Sequence, residues 1–200
     1  MELRVLGCLI EKQRTTPEQY PLTLNALRLA CNQATNREPV LQLDESEVRA
    51  VAQSLGTKGY ARLATGPASR TAKYRQLFGE ALDLMPAEVS ILAVLMLRGP
   101  QTVNELKTRT ERLHRFASVE DLSETLTRLD AKELVHLLPR QSGQREERWT
   151  HLLADGPTGA GPVEEAEFPA SEPTSVERRL AQVEQRLGEL ERLLAERGLL

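Results

Sequence analysis

The feature that most constrains this chain is an internal repeat. Thr23-Leu24-Asn25-Ala26-Leu27 aligns with Thr102-Val103-Asn104-Glu105-Leu106 at an offset of 79 residues, and Lys58-Gly59-Tyr60 aligns with Lys132-Glu133-Leu134 at an offset of 74. The shorter second offset is accounted for by a longer loop in the first copy, between its second and third helices. The fold must therefore be one that can be built twice within 200 residues.

Hydrophobic spacing gives both copies the same order of elements. In the first, Leu3, Leu6, Leu9 and Ile10 predict an amphipathic helix that ends near Thr15-Thr16-Pro17, and Tyr20-Pro21-Leu22 reads as a short extended piece. Thr23 caps a second helix bearing Leu24, Leu27 and Cys31. Asp44 caps a third, with Glu47 spaced for a capping box and Val48, Val51, Ala52 and Leu55 as its buried stripe. Gly59 stops that helix, and strand-like runs 60–65 and 71–78 flank Gly66-Pro67-Ala68-Ser69 as a hairpin. In the second copy Pro86 opens a helix that runs to Gly99. Thr102 and Ser118 cap the next two, Val119, Leu122, Leu126 and Leu129 form a stripe, and runs 134–138 and 147–153 make the second hairpin. Helix, short strand, helix, helix, hairpin is the order of a winged helix. The expected fold is mainly α with small β-wings: two tandem winged-helix domains, residues 1–82 and 83–154, plus a C-terminal coiled-coil helix.

The tail is read from composition and period. Residues 155–175 are rich in Gly, Pro and Glu and are expected to be a disordered linker. Over 176–197, Val176, Leu180, Val183, Leu187, Leu190 and Leu194 alternate spacings of four and three, a heptad seam for a homo-oligomer. Arg179 and Arg186 would then face Glu184 and Glu191 of a parallel partner. A lone helix lying back on the modules is the other reading of this stretch.

The stretch Tyr20-Pro-Leu-Thr-Leu-Asn-Ala-Leu-Arg-Leu-Ala-Cys-Asn-Gln-Ala-Thr-Asn-Arg-Glu-Pro-Val40 resembles the YceH-like family of uncharacterised bacterial proteins. The resemblance extends from residue 1 to about 153, and it implies the same tandem winged-helix fold. It implies no established activity.

Catalytic and metal chemistry find little support in these residues. His114, His136 and His151 lack partner spacing, no Gly-rich phosphate loop occurs, and no nucleophile, cofactor or metal site is expected. Cys8 and Cys31 lie within apolar helical patterns and read as buried thiols, with a redox pair as the alternative if their helices touch. Val5-Leu6-Gly7-Cys8 is similar to a lipoprotein cleavage box, but neither a basic region nor a long apolar stretch precedes it. Neither export nor membrane insertion is expected, and the location read from this is cytoplasmic.

Charge separates the two copies. Residues 1–82 hold 11 Lys/Arg and 8 Asp/Glu, residues 83–154 hold 10 and 11, and residues 155–200 hold 5 and 10. Only the first copy leans basic, as a DNA-binding module should. On its third helix, burying the stripe leaves Arg49, Gln53 and Lys58 outward, and the first wing adds Arg62, Arg70, Lys73 and Arg75. A winged helix sets its third helix in the major groove and its wing against phosphate, so these residues are the candidate nucleic-acid contacts. Arg37, in the polar loop Asn32 to Glu38, joins them as a base-edge or backbone-satisfying residue. Glu45 and Glu47 oppose phosphate at the helix end that docks. The second copy exposes Glu120, Asp121 and Glu124 on its third helix and is expected to contact protein. The expected partner is therefore DNA. The alternative is a protein-interaction scaffold, similar to the tandem winged-helix accessory subunits of chromosome-condensation complexes.

Overall fold

The computed structural model describes residues 1–64, 71–140 and 143–153. The expected linker 155–175, the expected coiled-coil helix 176–197 and Arg70 lie outside the described residues.

The chain opens with α1 (Glu2–Thr15), a 3-10 turn over Pro17–Gln19, β1 (Leu22–Thr23) and α2 (Leu24–Cys31). After the polar loop come α3 (Glu45–Thr57), β2 (Ala61–Ala64), β3 (Lys73–Gln76) and a short α4 (Phe78–Ala81) that periodicity did not signal. The second copy holds α5 (Pro86–Arg98), α6 (Val103–Thr110), α7 (Val119–Ala131), β4 (Val135–Leu138) and β5 (Arg148–His151). The described residues are thus mainly helical with two small antiparallel sheets, an order compatible with winged-helix folds.

The caps follow the sequence signals. The Thr23 hydroxyl accepts from Ala26 N–H at 3.2 Å, and Ser118 does the same for Asp121 N–H at 3.2 Å. Asp44 and Glu47 complete a reciprocal capping box at 2.9 and 2.8 Å, as do Thr102 and Glu105 at 3.2 and 3.0 Å. These bonds satisfy N–H groups that a helix end otherwise leaves open.

The repeat is repeated in geometry. α3 and α7 are each 13 residues long and lie 74 residues apart, the offset of the Lys-x-x match. Both end the same way: Tyr60 N–H donates to Leu55 O at 2.9 Å and Leu134 N–H to Leu129 O at 3.0 Å, closing a Schellman turn. That turn needs a left-handed residue, which is Gly59 (φ 78°) in one copy and Glu133 (φ 56°) in the other. Just before it, Lys58 reaches Glu2 at 2.6 Å and Lys132 reaches Glu88 at 2.9 Å, so each third helix is tied to the first turn of its copy's first helix.

The sheets repeat with one difference. β1, β3 and β2 form a three-stranded antiparallel sheet in which Leu22 faces Tyr74, whereas β4 and β5 pair alone and Gln101 bridges to Trp149 where a third strand would sit.

Packing corrects the reading of α1 as simply amphipathic. Every residue from Arg4 to Ile10 is buried, and every residue from Glu88 to Leu97 of α5 as well. A helix enclosed on all sides needs cover from two directions. Around α1 that cover is α2 and α3 of its own copy and α5 of the other. Gly7 sits at the α1–α5 contact, where an added Cβ would lie 2.9 Å from Leu97 Cγ and 3.3 Å from Met96 Cβ. The buried apolar residues of the two copies consequently belong to one cluster.

Candidate nucleic-acid interface

The eight candidate contacts fall into different environments. The α3 stripe Val48, Ala52 and Leu55 is buried, so Arg49 and Gln53 point outward and are exposed, as their spacing requires. On the hairpin, register decides which side chains share a face. Arg62 lies directly opposite Arg75 and Ala64 opposite Lys73, while Ala61, Gln76 and Tyr74 on the other face are buried. Arg62, Lys73 and Arg75 therefore occupy the outer face together. Arg75 is partly neutralised by Glu80 at 2.8 Å; Arg49, Arg62 and Lys73 have no ion pair among the described residues.

Two candidates are structural instead. Arg37 is buried: its Nε donates to Ala30 O at 3.1 Å, Nη1 to Asn36 O at 2.9 Å, and Nη2 to Gln33 Oε1 at 2.9 Å and Glu11 Oε2 at 2.6 Å. A guanidinium so enclosed organises the loop and has no donor to offer a base. Lys58 is held by Glu2, and the same bond recurs at Lys132 and Glu88, so its repeat match marks a tether between helices. Arg70 falls outside the described residues.

The polar loop follows the backbone-satisfying reading. Asn32 Nδ2 donates to Leu43 O and Asn32 Oδ1 accepts from Leu43 N–H, both at 2.8 Å. Asn36, with φ 62°, accepts from Arg98. Below the loop Arg4 Nη1 donates to Cys31 O at 3.1 Å, and its Nε is buried without a partner among the described residues. Cys8 and Cys31 are both buried and unbridged, and the hydrogen bond to Cys8 together with burial pushes the Cys31 thiol far up.

Among the described residues, the paired strands of the second copy lack the cationic face. His136 and Thr150 stand where Arg62 and Arg75 do, and Arg148, equivalent to Lys73, is bound to Pro100 O at 3.0 Å and to Glu105 at 2.9 Å. Glu120 and Glu124 on α7 are exposed. Burial lowers the pKa of His151, whose Nδ1 has no hydrogen-bond partner among the described residues.

Sequence reasoning missed a second set of cations, Lys12, Arg98, Arg109 and Arg112, which line one cleft. Arg109, Arg112 and Arg115 recur every third residue and could have been noticed; the approach of Arg98 and Lys12 depends on α1 packing against α5, which no local pattern encodes. Among the described residues there is no group of three or more His, Cys, Asp or Glu placed to hold a metal, and no helix long and apolar enough to cross a membrane.

Twice-built helices and hairpin, with a cationic outer face on the first hairpin among the described residues, define the class: a mainly helical protein with small antiparallel sheets. The chain belongs to the family described as "Protein of unknown function, DUF480", which it matches over residues 1–144. The YceH-like resemblance fits this family. It is 51% identical over 154 residues to a UPF0502 protein of Pseudomonas fluorescens (strain Pf0-1), a match spanning 77% of this chain and 70% of the relative. A UPF0502 protein of Pseudomonas savastanoi pv. phaseolicola is 53% identical over 77% of this chain and 69% of its own length, and one of Ectopseudomonas mendocina 52% over 78% and 71%.

Proposed function

We propose that the chain is a non-enzymatic, cytoplasmic DNA-binding protein of tandem winged-helix build, in which the first copy engages DNA. The observation that carries this reading is the register of β2 on β3. Like charges set directly opposite one another on a sheet repel, yet Arg62 faces Arg75, which Glu80 neutralises only in part, with Lys73 beside them on the outer surface. A polyanionic partner converts that repulsion into attraction. α3 adds Arg49 and Gln53, side chains suited to guanine and adenine edges. The second copy, with its acidic α7 face, meets protein, and the heptad seam Val176 to Leu194 joins copies of the chain.

The test is the salt dependence of duplex binding by the full chain. Each phosphate contact contributes a slope of about −0.9 in log affinity against log salt. Replacing Arg49, Arg62 and Lys73 with Ala should flatten that slope by about 2 to 3 and weaken binding to every duplex. Unaltered affinity and slope would defeat the proposal. The second reading, a protein scaffold similar to condensation-complex accessory subunits, is favoured by exposed Glu120, Glu124 and Asp130 on α7, and predicts no duplex binding by the full chain.

A further inference from the structure

A cleft of about 370 Å³ opens where the two copies meet. Its cations come from separate elements: Lys12 from the last turn of α1, Arg98 from the end of α5, and Arg109 and Arg112 from α6 and the turn after it. Glu11 is the only carboxylate in the lining, and its two oxygens already accept from Arg37 at 2.6 and 3.2 Å. Arg98 is held by the neutral amide oxygen of Asn36, and Arg109 by a distant Glu105 at 3.6 Å. Arg112 is exposed, with no ion pair among the described residues.

Three helices end at this cleft, and the negative end of a helix attracts cations without any ligand. Here the terminal carbonyls are capped by backbone instead. Lys12 O accepts from Thr16 N–H at 3.0 Å, Leu97 O from Glu38 N–H at 2.8 Å, and Thr110 O from Leu113 and His114 N–H at 2.7 and 2.8 Å. Lys12 lies 4.0 Å from Glu11 Oε2, and Arg98, Arg109 and Arg112 line the cleft beside that pair. Burial first, and then the charge of Arg109, pull the Arg98 pKa below its ordinary value, against the opposing pull of Glu11.

We propose that this cleft binds a small phosphorylated anion bearing two or more negative charges, its oxygens held by the guanidinium groups of Arg98, Arg109 and Arg112. Guanidinium forks match phosphate oxygens two at a time. The concave walls and volume suit a diphosphate-sized group, whereas a duplex needs an open ridge. The inference is independent of the hairpin reading.

Calorimetric titration of the full chain with inorganic pyrophosphate tests it, with unrelated duplex DNA as a second titrant. Saturable pyrophosphate binding is expected, weakened about tenfold or more by Arg112→Gln and by Arg98→Gln, and unaffected by Arg62→Ala with Lys73→Ala. Arg112 is exposed, so its variant decides the matter even where Arg98→Gln, which loses the bond to Asn36, unfolds the chain. No saturable binding at millimolar pyrophosphate, or equal binding by the Arg112 variant, overturns the proposal. So does a cleft variant that loses duplex binding while the parent protein ignores pyrophosphate, since the cleft would then be a nucleic-acid contact.

Discussion

At the scale of single residues, the two copies reveal which side chains the fold tolerates and which it prefers. Glu133 stands at φ 56° where the first copy has Gly59, and a side chain in that region costs about 1 kcal/mol. Glu133→Gly should therefore raise the unfolding free energy by up to about 1 kcal/mol, less some unfolded-state entropy, as read from denaturant midpoints. His151 gives a pH dependence with a definite sign. Its folded pKa lies below the ordinary 6.5, so the unfolded chain takes up the proton first. Stability is intact above about pH 6.5 and falls as pH drops below it, by at most ~1.4 kcal/mol per unit. Thermal melts from pH 7.5 to 5 should show this loss, and His151→Leu should shrink it. Some of this scale was legible in the sequence. The caps Thr23, Asp44, Thr102 and Ser118 could be read because capping is local. Arg37 stayed open between base edge and backbone, and Lys58 could not be read as structural, because Glu11 and Glu2 lie 26 and 56 residues away.

At the scale of elements, period and stop signals located the long helices and the paired strands of both hairpins among the described residues to within a few residues, and the strands came out shorter than their β-prone runs because pairing covers only four residues on each. What escaped was the number of neighbours each helix has. α1 carries Arg4, Gly7 and Cys8 among its buried residues, and a small or polar residue there reads as a break in the apolar face until α5 is seen against it. Gly7→Val should accordingly destabilise the protein by about 1 to 3 kcal/mol through forced displacement of Leu97, measured by denaturant unfolding. The same change on an exposed helix face would cost far less. The outer hairpin face was legible because side-chain alternation in a strand is strict. The junction cleft was illegible because it is assembled from three helix ends that meet only in three dimensions.

At the scale of the whole molecule, the repeat was visible in eight aligned positions, four of them identical, and its asymmetry in the charge count; the cationic hairpin face belongs to the first copy and the acidic α7 face to the second. The proposed self-association is a property of this scale. Deleting residues 176–197 should lower the mass in solution to that of a single chain, as measured by light scattering behind a sizing column; an unchanged mass defeats the seam formed by Val176, Leu180, Val183, Leu187, Leu190 and Leu194. The contact at Gly7 carries a last implication. With Arg4 to Ile10 of α1 and Glu88 to Leu97 of α5 buried where the two halves meet, a chain cut back to either half would carry a bare greasy flank, so neither half is expected to stand alone in water.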